Sequence, residues 1–277
     1  MGHSLLDEQL QEMQPYLIKW FKQYNVMMVD SRYKANKYEV ITDNISFDSL
    51  FLTCQGYMYS IHSAFKELLK SYYYSVSADL IEKELRKKNE IGWSNYWKYE
   101  IKHYYFRNVI SNYFSILDYI AVMVNELAQQ QLIKDVRAVT FNKINTVLSN
   151  LKNQDNVGWM CAKDIKNIKT ILPLAYTDIT HAEKKILKPY RNRLTHRYLV
   201  GIDEMTVFTH REKVTEEDKD LYGRKDKFKY KVKANPEFTY DELKAIAEKL
   251  INNLDIMLYE LTNLKIIRYQ SIIKKIQ

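Results

Sequence analysis

Apolar residues recur every three or four positions along most of this chain, which is the period of an amphipathic α-helix. The clearest apolar face belongs to the helix predicted at 94–131. Proline removes a backbone donor, so Pro15 and Pro189 are expected to kink or interrupt the helices that contain them. The full set of predicted helices covers 5–29, 46–88, 94–131, 134–152, 161–170, 178–200 and 239–261.

One segment, 203–236, departs from the helical period. Within it, Met205–His210 and Lys227–Lys233 alternate apolar and polar residues, which predicts a β-hairpin. Elsewhere the helix breakers are scarce, with 6 Gly and 4 Pro among 277 residues. No repeat and no Gly-, Ser- or Pro-rich linker divides the chain. We therefore predict an all-α fold in a single domain, 1–277, with a small β-hairpin inserted near 203–236.

The composition favours a cytoplasmic protein. Cys54 and Cys161 lie in helical stretches and form no C-x-x-C pair, so we expect two free, buried thiols and no zinc site. The N-terminus carries acids where a signal peptide has basic and apolar regions. The longest apolar run, Tyr119 to Val124, is far shorter than the ~18 residues of a membrane span. We expect neither membrane association nor a metal.

The formal net charge of +8 fits contact with a polyanion, although many metabolic proteins share such a balance. The cations concentrate between 184 and 201, a stretch that holds no acid. An acid-free run of this kind attracts phosphate, and the alternative is an ordinary solvated helix face. Its members, which we predict to bind RNA alongside the site described next, are Lys184, Lys185, Lys188, Arg193 and Arg197, together with Arg191.

Arg191, Asn192 and His196 are the residues within this stretch that suit chemistry on a phosphodiester. Pro189 is common in the first turn of a helix, which would place Arg191 and Asn192 at an anion-binding N-terminus. Arginine holds phosphate by a charge-assisted fork, and histidine exchanges protons near neutral pH. Asn192 and His196 are four apart and share a helix face. Arg191 and His196 are five apart, roughly 140° round the helix, so they meet only if the arginine swings.

These residues resemble the R-x4–6-H signature of the HEPN superfamily, with Asn192 in the usual second position. The helix Tyr105–Leu127 is similar to the one that packs on the motif helix there. The resemblance implies a helical bundle that dimerises with both motifs in one cleft, acting on RNA without metal or cofactor. It further implies that Arg191 and His196 are catalytic, that Asn192 positions, and that Asp118 is a supporting acid. The HEPN-like core would be 94–202 and 237–277, with residues 1–90 as an N-terminal helical extension.

The motif continues as His196-Arg197-Tyr198, giving R-x4-H-x-Y. This is similar to HEPN toxins paired with a nucleotidyltransferase antitoxin, in which the tyrosine is modified by adenylylation. By that resemblance Tyr198 is a modification site. In a chain with 23 tyrosines the alternative is coincidence.

We therefore predict a metal-independent endoribonuclease of a prokaryotic toxin–antitoxin, abortive-infection or antiviral defence system, acting as a homodimer. An antitoxin or another defence-system protein is the expected kind of partner. The alternative is a non-catalytic HEPN scaffold that binds nucleotide, RNA or a protein; a third reading is a helical interaction protein. Two further histidines, His62 and His103, are predicted to be packing residues. Packing is also favoured over base stacking for the tyrosines at 72–74 and 104–105.

Overall fold

The structure, a computed structural model, describes Met13 and Pro15 and then 45–152, 156–196, 208–217, 219, 228–233 and 238–268. This part of the chain is mostly helical, as its period and its scarcity of Gly and Pro predict. The helices are α1 (Ile45–Lys87), α2 (Ile91–Tyr96), α3 (His103–Leu127), α4 (Phe141–Asn150), α5 (Ala162–Ile171), α6 (His181–His196), α7 (Tyr240–Thr262) and α8 (Lys265–Arg268). A π-turn (Trp97–Lys102) joins α2 to α3, and 3₁₀ turns lie at Val136–Ala138 and Leu172–Tyr176.

The chain divides into two compact units, one comprising Met1–Ile179 with Glu248–Gln277 and the other Thr180–Ala247. The single domain and its internal boundaries stay a prediction, as does the docking of the helix Tyr105–Leu127 on the motif helix. The N-terminal helix predicted at 5–29 lies outside the described residues except for Met13 and Pro15. Among the described helices none is both long and apolar enough to cross a bilayer.

The core of the larger unit forms where α1 packs along α3. Each helix presents residues at helical spacing, so burial follows the apolar stripe that the sequence shows. The stripe of α1 includes Met58, Ile61, Phe65, Leu68 and Leu69; that of α3 includes Phe106, Val109, Ile110, Tyr113 and Leu117, all buried. Such an interface removes large apolar side chains from water, at roughly 1.5–3 kcal/mol for each one fully buried.

The predicted helix 94–131 differs from the structure in one respect, because it starts at Ile91 and contains the π-turn. Residues Tyr96 and Lys102 have right-handed helical dihedral angles, so α2, the turn and α3 run on without a break. The His103 N–H donates to the carbonyl of Lys98, five residues back. Five-residue hydrogen bonds bring residues five apart onto one side. Both Trp97 and Lys102 are accordingly buried.

Lys102 is buried because two acids of α1 surround its amine. The Lys102 Nζ lies 3.0 Å from the Asp79 carboxylate and 3.3 Å from that of Glu82. The Ser75 hydroxyl donates to the Lys102 carbonyl over 2.9 Å. An unpaired charge at such depth would cost several kcal/mol, and pairing with hydrogen bonding offsets that cost. This ion cluster fixes the π-turn against α1.

Two connections in the larger unit are held by specific backbone contacts. Asn125 makes a pair of 3.0 Å hydrogen bonds with the backbone of Ile133, closing the loop after α3. Gly158 follows with φ +59°, and its Cα approaches the backbone of Ala128 so closely that a Cβ would lie 2.4 Å from the Ala128 carbonyl carbon. Only glycine fits such a position without strain.

The cysteine prediction is half wrong. Cys54 is buried, and its thiol lies 3.7 Å from the Ile266 carbonyl. Cys161 is exposed, because it stands immediately before α5 as its cap instead of on an apolar face. Asp164 accepts from the Cys161 backbone N–H over 3.1 Å and reaches the thiol over 2.9 Å. A capping position faces solvent, which explains the exposure.

In the smaller unit, strands β1 (Phe208–Lys213) and β2 (Phe228–Lys233) pair antiparallel, with Phe208 opposite Lys233 and Lys213 opposite Phe228. They lie within the range 203–236 that departs from the helical period. α7 begins after Thr239, whose hydroxyl accepts from the Glu242 N–H over 3.3 Å, as the capping pattern predicts.

Candidate functional site

The helix that carries the candidate residues, α6, begins at His181 with a capping box. The Thr180 hydroxyl accepts from the Glu183 backbone N–H over 3.2 Å, and the Glu183 carboxylate accepts from the Thr180 N–H over 2.7 Å. These reciprocal bonds satisfy donors that a helix start otherwise leaves free. The signal, Thr-x-x-Glu, is visible in the sequence and was missed by the reasoning from Pro189.

The expected restart of the helix at Pro189 is wrong. α6 runs continuously from His181 to His196 with Pro189 in its interior. Arg191 and Asn192 are therefore far from a helix N-terminus and receive no anion-binding field from one. Proline has no N–H, so the Lys185 carbonyl lacks its intrahelical donor at this point. Phosphate binding at Arg191 has to come from side chains.

Two buried side chains on either side of Pro189 hold the helix in place. Leu187 is 3% exposed and Tyr190 is fully buried. The Tyr190 ring packs edge-on against Phe238, with the ring centroids 5.2 Å apart. Because Tyr190 fixes the rotation of the helix, it fixes the direction in which the next residue, Arg191, leaves the backbone. Arg191 itself is half-buried.

The backbone of α6 places Arg191 and His196 on one helix. Their spacing gives about 140° around the axis and about 7.5 Å along it, so they diverge within a single copy. Asn192 and His196, four apart, lie one turn from each other. The side chains of Lys188, Asn192, Arg193 and His196 lie outside the described part of the structure, as do Arg197 and Tyr198 entirely.

The first half of α6 is basic and exposed. Lys184 and Lys185 both face solvent. The nearest acid, Glu183, accepts from the N–H of Thr180, so part of its charge is directed at the helix start. The described portion of this stretch thus offers cations to an approaching anion, as the sequence predicts.

Asp118, predicted as a supporting acid, has a structural contact in the larger unit. Its Oδ1 accepts from the Phe141 N–H over 3.2 Å, at the first residue of α4. A carboxylate at a helix N-terminus satisfies an orphan donor and favours the helix dipole. A catalytic role for Asp118 stays a prediction.

Two histidines are packing residues, as predicted. His103 is 2% exposed, and its ring packs edge-on against Tyr99 at 5.8 Å. His62 is 8% exposed, and its Nε2 lies 3.5 Å from the Thr262 hydroxyl. Burial and then the positive charge of Lys66 lower the pKa of His62 to about 4. The described residues contain no group of three or more His, Cys, Asp or Glu able to hold a metal.

The tyrosine clusters divide between core and surface. Tyr72 and Tyr73 are buried, which agrees with packing. Tyr104 is 53% exposed and Trp93, not singled out from the sequence, is 60% exposed. Both belong to the segment around the π-turn, where the ordinary helical period does not predict which side chains face solvent.

Comparison with protein-family models, with curated proteins and with solved structures gives no match to this chain. The HEPN assignment therefore depends on the motif residues themselves, on Arg191, Asn192 and His196, and on their place in a helical chain. What the site offers is a cation and a proton-transfer group on one anchored helix.

Proposed function

We propose that this chain is a HEPN-type endoribonuclease that cleaves RNA without a metal, as a homodimer. The observation that carries the proposal is the continuous helix α6, which holds Arg191 and His196 and is anchored at Tyr190 between them and its capped start. Anchoring matters because a catalytic pair acts only when it is held in place. Lys184 and Lys185, exposed on the same helix, supply the field that draws a polyanion to it.

The chemistry that this pair suits is transesterification at the ribose. His196, neutral, accepts the proton of a 2′-hydroxyl while that oxygen attacks the adjacent phosphorus. The bond from phosphorus to the 5′-oxygen breaks, and the leaving oxygen takes a proton from a general acid. Arg191 stabilises the negative charge on the phosphoryl oxygens as it grows. The products are a 2′,3′-cyclic phosphate and a 5′-hydroxyl. DNA has no 2′-hydroxyl and would not be cut.

A second copy of the chain explains how acid and base act together. One copy supplies one His196, and Arg191 diverges from it by about 140° on the helix. Two motif helices facing each other across a two-fold axis would bring two histidines and two arginines to one phosphodiester. Asn192, one turn before His196, is proposed to orient it. Arg193, Arg197 and the exposed lysines are proposed to bind the RNA on either side.

The proposal is tested with purified full-length protein, total RNA and EDTA. We expect the wild type to cut and His196→Ala and Arg191→Ala to leave RNA intact. His181→Ala is the matched control, since His181 is exposed at the start of the same helix and should not affect cleavage. The ends of the products should be cyclic phosphate and 5′-hydroxyl. If RNA is equally intact with all four proteins, the chain is not a nuclease, and the alternative of a non-catalytic HEPN scaffold for nucleotide, RNA or protein replaces it.

We propose a cytoplasmic defence or toxin–antitoxin system as the setting, because uncontrolled RNA cleavage harms the host. Tyr198 is proposed as the site at which a nucleotidyltransferase antitoxin adenylylates the toxin. Such a modification adds negative charge two residues from His196, which opposes RNA binding. Mass spectrometry of the protein co-expressed with its genomic neighbours tests this, and an unmodified Tyr198 together with loss of toxicity would contradict it.

A further inference from the structure

The segment around the π-turn exposes an unusual number of aromatic rings. Trp93 is 60% exposed, Tyr104 is 53% and Tyr99 is 36%, while Tyr96 and Tyr105 are half-buried. We call these five residues the aromatic surface. Large rings are normally driven inward because they bury 150–250 Å² each. Several exposed rings on one short segment therefore indicate a site of contact with another molecule.

Ring contacts connect the members of the aromatic surface. The Trp93 and Tyr96 rings lie 6.1 Å apart, and the Tyr104 and Tyr105 rings 5.3 Å apart. The Tyr105 ring lies 4.9 Å from that of Tyr74 on α1. Burial, and then the phenols of Tyr74, Tyr104 and Tyr96, raise the pKa of Tyr105, so the two pairs of rings are within electrostatic reach of each other. The rings form one cluster instead of scattered exposures.

The cluster is held rigidly. The π-turn positions Tyr99 and fixes the rotation of α2 relative to α3, and the ion cluster of Lys102 with Asp79 and Glu82 fixes the turn against α1. A π-turn costs helix stability and is frequent at functional sites. Rings held in place in this way contribute contact area at a small entropic cost on binding.

Cations accompany the rings. Six basic residues stand against two acidic ones between 86 and 107, a higher positive density than the chain average. Lys87 and Lys88 are exposed at the end of α1, where basic side chains extend from the helix C-terminus. The Lys98 amine lies 4.9 Å from the centre of the Tyr99 ring. The two acids are Glu90 and Glu100, both exposed.

We propose that the aromatic surface binds single-stranded RNA, with bases stacked on Trp93 and Tyr104 and phosphates beside Lys87, Lys88 and Lys98. Every base has a π-face, so stacking on such rings tolerates sequence, and neighbouring cations track the backbone. Trp93 and Tyr104 are eleven residues apart, about 16 Å along a helix. That distance accommodates on the order of five bases at the ~3.4 Å spacing of stacked nucleotides.

The excess of positive charge favours nucleic acid over a protein as the occupant. Protein interfaces are also rich in Tyr and Trp, but their centres are depleted in lysine. The choice of RNA over DNA rests on the proposed function, since stacking alone does not distinguish the two sugars. Binding itself is independent of His196 and Arg191, which lie in the other compact unit.

The test measures the affinity for a short fluorescein-labelled oligouridylate by anisotropy, in EDTA and in a His196→Ala background so that the probe stays intact. We expect Trp93→Ala and Tyr104→Ala each to weaken binding about five- to 150-fold, the equivalent of 1–3 kcal/mol per stacked base. Tyr59→Ala, which removes an equally exposed tyrosine from α1, should change affinity less than about two-fold. Trp93→Phe keeps a stacking ring and should recover much of the loss.

Charge variants give a second readout. Replacing Lys87 and Lys88 together by Ala should weaken binding and flatten its dependence on salt by about two ion equivalents. Glu100→Gln should tighten it, because an acid beside the phosphates is removed. Circular dichroism of each variant confirms that the helices remain.

The outcomes separate this proposal from the proposed nuclease. An affinity for Trp93→Ala/Tyr104→Ala equal to that for Tyr59→Ala would overturn it. Unchanged RNA affinity with a change in oligomeric mass would overturn it too, in favour of a protein interface. Ring-dependent binding by a wild type that never cuts RNA would support it while removing the nuclease, and cutting without ring dependence would do the reverse.

Discussion

The carboxylate of Asp118, near the end of α3, accepts a hydrogen bond from the backbone N–H of Phe141, the first residue of α4, over 3.2 Å. The two residues are 23 positions apart in the sequence. One side chain thereby closes the connection between two helices and satisfies a donor at the start of the second. The contact gives Asp118 a structural role that is independent of any chemistry at α6.

Asp118→Ala should therefore lower the free energy of unfolding by about 0.5–2 kcal/mol, the usual cost of a lost cap. Asp118→Asn keeps an acceptor oxygen and should cost less, so it serves as the matched control. Both are measured by urea denaturation, with RNA cleavage per folded molecule as the second readout. Unchanged stability of Asp118→Ala together with lost cleavage would instead give Asp118 the supporting catalytic role.

Burial of His62 predicts a pH dependence of stability. Burial and Lys66 lower the pKa of His62 from 6.5 to about 4, so the folded protein holds this ring neutral. The unfolded chain binds the proton first, so this contribution to stability is complete above pH 6.5 and is lost as the pH falls toward 4. Between pH 7 and pH 5 the loss should be about 2 kcal/mol.

His62→Gln should flatten that part of the pH profile, and urea denaturation at pH 7 and pH 5 measures the difference. His181→Gln, at an exposed histidine, should keep the wild-type profile. A His62→Gln protein that loses as much stability between the two pH values as the wild type would contradict the assignment. The comparison uses the slope, so it holds even if the variant is less stable at both values.

Two glycines should respond to alanine in opposite directions. At Gly158, with φ +59°, a Cβ would meet the backbone of Ala128 at 2.4 Å, so Gly158→Ala should destabilise by about 2 kcal/mol or more. At Gly56, in the interior of α1, a Cβ meets nothing within 4 Å. Gly56→Ala should stabilise by about 0.5–1 kcal/mol, because glycine weakens a helix interior. Thermal unfolding of both variants checks the signs, and a shared direction would show that the close approach is wrong.

The ion cluster predicts a large effect from one lysine. Lys102→Met leaves Asp79 and Glu82 buried without that cation and should cost about 3–5 kcal/mol. Replacing all three, as Lys102→Met with Asp79→Asn and Glu82→Gln, should recover part of the loss, since no buried charge remains. Lys98→Met, in the same π-turn but beside Tyr99 at the surface, is the control and should cost less than about 1 kcal/mol. Equal effects at 98 and 102 would argue against a buried cluster.

The sequence predicted those features that depend on local periodicity. The stripe that contains Met58 and Phe65 predicted α1 to within a residue or two at each end, and Thr239 with Glu242 predicted the start of α7. These succeed because a helix face and a capping box involve only neighbours a few positions apart. The prediction for α6 failed where two local rules competed. Pro189 suits a first turn, but Thr180 and Glu183 provide a start that the buried Leu187 and Tyr190 carry past the proline.

Other features were beyond local reasoning. The contact of Asp118 with Phe141 joins residues that no periodicity relates. The exposure of Cys161 follows from its capping position, and cysteine is not among the usual capping residues. At the candidate site, the sequence supplied Arg191 and His196 by type and spacing, but their five-residue separation leaves the meeting of the pair to a second copy of the chain. That step depends on quaternary structure, which one sequence does not encode in a local pattern.

The π-turn also bears on how this chain tolerates changes in length. Its hydrogen bond from His103 to Lys98 spans one residue more than an α-helical bond, so the turn is equivalent to a single inserted residue. Deleting one residue between 98 and 101 should let the whole helix become α-helical. Everything before the deletion would then rotate by about 100° relative to α3, so Trp97 and Lys102 would no longer both point inward. Such a deletion would be nearly silent in helix content, yet it would turn Trp93 away from Tyr104.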